Sequence, residues 1–100
     1  MIRFERSAQA ILNKQGEAQQ WAKEVTVYIN TKLPDLNLQV FVERFGQQNS
    51  IYGIADCNDL AALDQFQLTL GADQGYWELM GKAQDFFVTG SIVDKVYSSI

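Results

Sequence analysis

Residues Asn37–Cys57 read NLQVFVERFGQQNSIYGIADC, and how this stretch divides decides the fold. Leu38, Val40, Val42 and Arg44 alternate with Gln39, Phe41, Glu43 and Phe45, the two-residue period of a β-strand. Gly46–Asn49, GQQN, has the length and composition of a hairpin connection, and Ser50–Cys57 reads as the returning strand. If Phe45 pairs with Ser50, then Ile51, Gly53, Ala55 and Cys57 share the aliphatic face. A slip of one residue would reverse that assignment, because side chains alternate between faces.

Working outward, Ile2–Ala10 alternates Ile2, Phe4, Arg6 and Ala8 against Arg3, Glu5 and Ser7, a first strand. After a polar turn at Asn13–Gly16 the period changes. Ala18, Trp21, Ala22, Val25, Tyr28, Ile29 and Leu33 recur three and four apart, a helical stripe that Pro34 ends. Glu17 and Glu24 lie toward the start of this helix and Lys32 at its end, complementing the helix dipole. Downstream of the hairpin, Asn58 or Asp56 is expected to cap a short helix through LAALDQF that ends near Gly71. Asp73 is expected to cap the next. Gly90 then leads into a last strand, SIVDKVY, with Ile92 and Val96 on one face and Val93 and Tyr97 on the other.

Two stretches imitate ligand loops. GYWELMGKAQ, Gly75–Gln84, has two glycines and a lysine, but five residues separate the glycines where a phosphate loop has four. Ala83 follows Lys82 where that loop needs Ser or Thr, and no strand precedes it. Tyr76, Leu79, Met80, Ala83, Phe86 and Phe87 instead keep helical spacing. Burial of large side chains at roughly 1.5–3 kcal/mol each outweighs the ~1 kcal/mol that Gly81 costs a helix. DCND, Asp56–Asp59, lacks the Asp or Asn and the Gly that a calcium loop needs at Leu60 and Ala61.

The order is therefore strand, helix, strand, strand, broken helix, strand. A right-handed crossover with the third strand inserted between the first two gives a split βαβ arrangement. The expected fold is α+β, an antiparallel four-stranded sheet in the order 4-1-3-2 with the helices on one face, formed by residues 1–100 as a single domain. The opposite face carries Phe41, Phe45, Tyr52 and Ile54, an apolar patch of the kind that marks a partner surface. A second copy of the same sheet would cover it, so a homodimer is expected.

Composition narrows the chemistry. The chain has 100 residues, 47% of them apolar, with a net charge of −4. Its eight Lys and Arg are dispersed, which weighs against nucleic acid and against anionic membrane surfaces. No apolar run reaches the 18 or so residues of a membrane span. Charges at Arg3, Glu5 and Arg6 stand where a signal peptide has its apolar segment, so a cytoplasmic protein is expected. With no histidine and the single Cys57, Ser-His-Asp and Cys-His nucleophile systems, His-ligated zinc and proximal-His haem are excluded. Neither a metal nor a cofactor is expected.

Candidate ligand-binding residues lie on the helix-facing side. Arg6 and Arg44 interrupt otherwise apolar rows of two parallel strands, and a buried charge needs a carboxylate, water or an anionic ligand. The alternative is an arginine that snorkels to solvent or pairs with an acid such as Glu43 or Glu78. Gly53 and Ala55 leave room for a small molecule or else permit close helix packing. Trp21, Tyr28, Tyr76 and Trp77 either line such a space or belong to the core. No catalytic residue is assigned.

The chain resembles the dimeric α+β barrel superfamily, with its ferredoxin-like fold, near the antibiotic-biosynthesis-monooxygenase-like and NIPSNAP-like domains. The resemblance is carried by NKQGEAQQWAKEV (Asn13–Val25), VFVERFGQQNSIYGIADCNDLAAL (Val40–Leu63) and ADQGYWELMGKAQDFFVTGS (Ala72–Ser91), and it spans nearly the whole chain. It implies a dimer that holds a ligand between sheet and helices. Two functions fit. One is a non-catalytic module binding a small apolar or weakly acidic ligand. The other is a cofactor-independent monooxygenase or isomerase in which a tyrosine hydroxyl or an arginine stabilises an enolate-like anion. The missing histidine departs from the haem-degrading members.

Overall fold

The computed structural model describes residues 1–46 and 49–100. The elements run β1 (Ile2–Gln9), α1 (Gln15–Lys32), β2 (Gln39–Val42), β3 (Ser50–Cys57), α2 (Leu60–Gly71), α3 (Gln74–Gly81), a 3-10 turn at Lys82–Asp85, and β4 (Val93–Ser98). The sheet order is β2-β3-β1-β4, and all neighbours are antiparallel. This is the expected ferredoxin-like arrangement read from its other edge, with the second helical segment broken after Gly71.

Cross-strand partners share a face, so the registers define the two sides of the sheet. Ile2, Phe4, Arg6 and Ala8 lie opposite Cys57, Ala55, Gly53 and Ile51 on β3. On the other flank Ile2, Phe4 and Arg6 face Ser98, Val96 and Asp94 of β4. The helices cover this side. One core joins Ile2, Ala55 and Cys57 to Val25 and Ile29 of α1 and Leu63 of α2. A second joins Ala10 and Ile51 to Ala18, Ala22 and Phe87. Ala18, Ala22, Val25 and Ile29 are the buried residues of α1, the inner part of its three-and-four stripe.

The hairpin differs from the expected register by two residues. Val42 lies opposite Ile51, and the Glu43 N–H donates to Ser50 O at 3.2 Å, so Glu43 rather than Phe45 is the residue beside Ser50. A two-residue shift preserves the faces, and Ile51, Ala55 and Cys57 are buried as expected. β2 ends at Val42 because the chain bends at Arg44–Gly46, where Gly46 adopts φ 89°. That is left-handed backbone that a side chain disfavours. The expected Gly46–Asn49 connection includes Gln47 and Gln48, which lie outside the described residues.

Two further boundaries differ. Asp59, not Asn58 or Asp56, caps α2 by accepting from the Ala62 N–H at 2.8 Å. The helix capped by Asp73 stops at Gly81 instead of continuing through Phe87. Its last turn tightens to 3-10 geometry, and Phe87 leaves to bridge Ala10, while Val88 N–H donates to Gln9 O at 2.8 Å. The apolar spacing of Phe86 and Phe87 reflects burial against the end of β1, not a continued helix.

Candidate functional site

Arg6 is the one charged residue in the helix-side row of β1. Asp94 stands directly across on β4, and the two form a bidentate pair with Nε–Oδ1 at 2.7 Å and Nη2–Oδ2 at 2.9 Å. The guanidinium carbon lies 5.7 Å from the centroid of the Phe4 ring. Tyr76, half-buried on α3 and packed against the first core, adds a smaller contribution that favours the charged guanidinium. Hydrogen bonding to Asp94 holds Arg6 still more firmly protonated than usual, against the opposing effect of burial. The same bonds hold the Asp94 carboxyl below its ordinary range.

Both side chains remain 43% exposed. The reason is the sheet margin, since β4 is exposed along its whole length and Val96, opposite Phe4, is 51% accessible. The helix side of β1 and β4 therefore presents an apolar surface, Phe4 and Val96, beside a paired charge and a phenol. Asp94 takes the Nε–H and one Nη2–H of Arg6. A guanidinium has five N–H groups, so three are not engaged by Asp94.

The other expected site residues do not join this cluster. Arg44 follows β2 in an exposed bend and does not share the sheet row with Arg6, because β2 has already ended. Trp21 is a packing residue. Its indole N–H donates to Leu79 O at 2.8 Å, and its ring meets Phe87 edge-on at 5.3 Å. Tyr28 donates to Asp73 at the junction of α1 and α3. Trp77, 57% exposed, turns outward and donates to Gly71 O at 2.8 Å. The room expected beside Gly53 is occupied, since a Cβ there would sit 3.7 Å from Leu38 Cδ1.

Asp94 was not anticipated, although a signal for it exists. In SIVDKVY it is an acid on the Ile92–Val96 row, just as Arg6 is a base on the Phe4–Ala8 row. Two opposite charges that each interrupt an apolar row on adjacent strands are a pairing signature once β1 and β4 are known to be neighbours.

Among the described residues no helix covers the opposite face of the sheet. Arg3 and Asp56 pair there at 2.8 and 3.0 Å, directly opposite in register, and Tyr52 donates to Glu43. Phe41 is 48% exposed beside them. A depression of about 180 Å³ on this side is lined by Arg3, Leu36, Asn37, Phe41, Ile54 and Asp56. A broader apolar groove of about 530 Å³ follows the outer surface of α1 past Val27, Tyr28 and Leu79. Neither contains the Arg6–Asp94 pair. Among the described residues no group of three His, Cys, Asp or Glu side chains is placed to hold a metal. No helix there is long and apolar enough to cross a membrane.

No family model and no curated protein matches the sequence. Solved structures do. An uncharacterised NIPSNAP domain protein from Burkholderia xenovorans superposes with a TM-score of 0.83 at 14% identity, covering 100% of this chain and 95% of that one. An antibiotic biosynthesis monooxygenase gives 0.73 at 14% identity, covering 100% and 99%. A variant of SnoaB, a cofactor-independent oxygenase from Streptomyces nogalater, gives 0.71 at 13% identity, covering 98% and 91%. The chain thus shares its ferredoxin-like fold with solved NIPSNAP and antibiotic-biosynthesis-monooxygenase structures.

Proposed function

We propose that the protein is a cytoplasmic homodimer, one ferredoxin-like domain per protomer, that binds a small apolar or weakly acidic organic molecule on the helix side of the sheet. The observation that supports this reading is the Arg6–Asp94–Tyr76 cluster, half-open to solvent beside Phe4 and Val96. The ligand's apolar body lies along Phe4 and Val96, and its oxygen accepts from the spare Arg6 N–H groups.

The homodimer is supported by the uncovered side of the sheet. Phe41, Tyr97 and Val93 are 44–48% exposed there, and such a band is better buried against a second copy than left in water. The Arg3–Asp56 and Tyr52–Glu43 pairs keep their polar groups satisfied within the protomer, so burial leaves them partnered.

A cofactor-independent oxygenase or isomerase is the second reading, favoured by the donors that Arg6 and Tyr76 would offer to a developing oxyanion. Asp94 is a poor general base for it, since Arg6 holds its carboxyl below the ordinary range. Binding without turnover is therefore preferred. The test is thermal unfolding against naphthols, terpenoid alcohols and fatty acids at millimolar concentration. A ligand at a hundred times its dissociation constant stabilises by about 2.7 kcal/mol, an upward shift of several degrees. No shift with any of the three classes overturns the reading.

A further inference from the structure

We propose that Asp94 is a specificity-determining residue, a built-in counter-ion that makes the Arg6 site select uncharged oxygen acceptors and reject carboxylates. The inference rests on the ligand-binding reading and narrows it. An arginine on a binding surface ordinarily recruits a carboxylate through its paired donors. Here the fork formed by Nε and Nη2 is already taken by Asp94 at 2.7 and 2.9 Å. An incoming carboxylate is left the end-on fork of Nη1 and the remaining Nη2 N–H, on a guanidinium whose charge Asp94 already balances.

Charge points the same way. Arg6 and Asp94 sum to zero, so a ligand anion beside Arg6 meets the repulsion of Asp94 as well as the attraction of the guanidinium. The repulsion offsets part of the attraction, while the anion still loses hydration against Phe4 and Val96. A ketone or an un-ionised phenol gives up far less water and needs only one or two good donors, which Arg6 and the Tyr76 hydroxyl supply. Asp94 does not leave readily, because it faces Arg6 across a regular antiparallel register that also pairs Phe4 with Val96. Its burial is partial, so the ion pair tolerates a neighbouring ligand without being dismantled.

The test compares methyl 2-naphthyl ketone with 2-naphthoate, which share a ring system and differ in charge, by isothermal titration at pH 7. The wild-type protein is expected to bind the ketone at least tenfold more tightly. In Asp94→Asn the site carries a net positive charge, and 2-naphthoate affinity rises at least tenfold. The double variant Arg6→Gln/Asp94→Asn loses that gain, which separates the charge effect from altered folding; the far-ultraviolet dichroism of each variant reports the fold. Equal or tighter binding of 2-naphthoate by the wild type overturns the selectivity and leaves ligand binding intact. So does an Asp94→Asn protein that folds and gains nothing for the carboxylate. Binding of neither compound, together with no stabilisation by any other ligand class, overturns ligand binding and the selectivity with it.

Discussion

The Tyr28 hydroxyl donates to Asp73 Oδ1 at 2.5 Å, and the same oxygen caps α3 by accepting from the Tyr76 N–H at 3.0 Å. One carboxylate thereby fixes the start of α3 to the flank of α1, with Lys32 Nζ 3.9 Å from its second oxygen. The packing of Tyr76 against the first core depends on this junction, because Tyr76 sits in the first turn of the capped helix.

A pH dependence follows. The Tyr28 hydrogen bond, followed by the Tyr76 backbone N–H, holds Asp73 below the ordinary carboxyl value of 3.8. A depressed folded-state value stabilises the protein above the unfolded value, and the benefit is lost as pH falls through the folded one. The Arg3 and Arg6 hydrogen bonds depress Asp56 and Asp94 likewise. Asn remains a good helix cap, so Asp73→Asn removes the charge and keeps the cap. The variant is expected to be less stable at pH 7, and urea unfolding should show the difference shrinking as pH falls below the ordinary carboxyl value of 3.8. A difference independent of pH contradicts this. At the alkaline end, Tyr28 and Tyr52 are raised above 10.0 by their hydrogen bonds to Asp73 and Glu43, so stability declines above that pH.

Two glycines of α3 should respond oppositely to alanine. A Cβ at Gly81 meets nothing within 4 Å, so Gly81→Ala gains helix propensity and stabilises by up to ~1 kcal/mol. A Cβ at Gly75 would collide with the Tyr28 hydroxyl and lie 2.9 Å from its ring carbon Cζ. Gly75→Ala must expel Tyr28 from Asp73, and its midpoint of thermal unfolding should fall where that of Gly81→Ala rises.

The half-buried Asn30 side chain replaces a strand partner. Its Nδ2 donates to Leu38 O at 3.0 Å and its Oδ1 accepts from Leu38 N–H at 2.8 Å, which tethers the α1–β2 connection to the helix. Asn30→Ala leaves both backbone groups of Leu38 without that partner, and a loss of about 1–3 kcal/mol is expected by denaturant unfolding. Asn30→Asp should cost a similar amount, since a carboxylate cannot donate to Leu38 O.

Light scattering tests the association. At micromolar concentration the protein is expected at about twice its 11.3 kDa chain mass, and Phe41→Glu, placed on the exposed side of the sheet, is expected to be monomeric and folded. A wild-type monomer contradicts the proposal.

The architecture was legible because the two-residue and three-and-four periods are strong in this chain. Val40–Val42 and Ile51–Cys57 declared their faces even though the register was two residues off, since an even shift is invisible to alternation. The end of the second helical segment was not legible. Phe86 and Phe87 satisfy a helical spacing, yet the backbone pairing of Phe87 with Ala10 is a long-range contact that no local pattern encodes. The candidate site was legible by half. Arg6 stood out as a charge in an apolar row, while its partner Asp94 lies 88 residues away and becomes visible only when the strand order is known. Arg44 obeyed the same alternation and misled, because β2 stops before reaching it.

The location of the ligand is most directly tested by titrating the 15N-labelled protein with methyl 2-naphthyl ketone and following backbone amide shifts. Perturbations centred on Phe4, Arg6, Tyr76, Asp94 and Val96 are the predicted result. Perturbations confined to the Phe41–Ile54 side of the sheet, or none at all at saturating ketone, would contradict it.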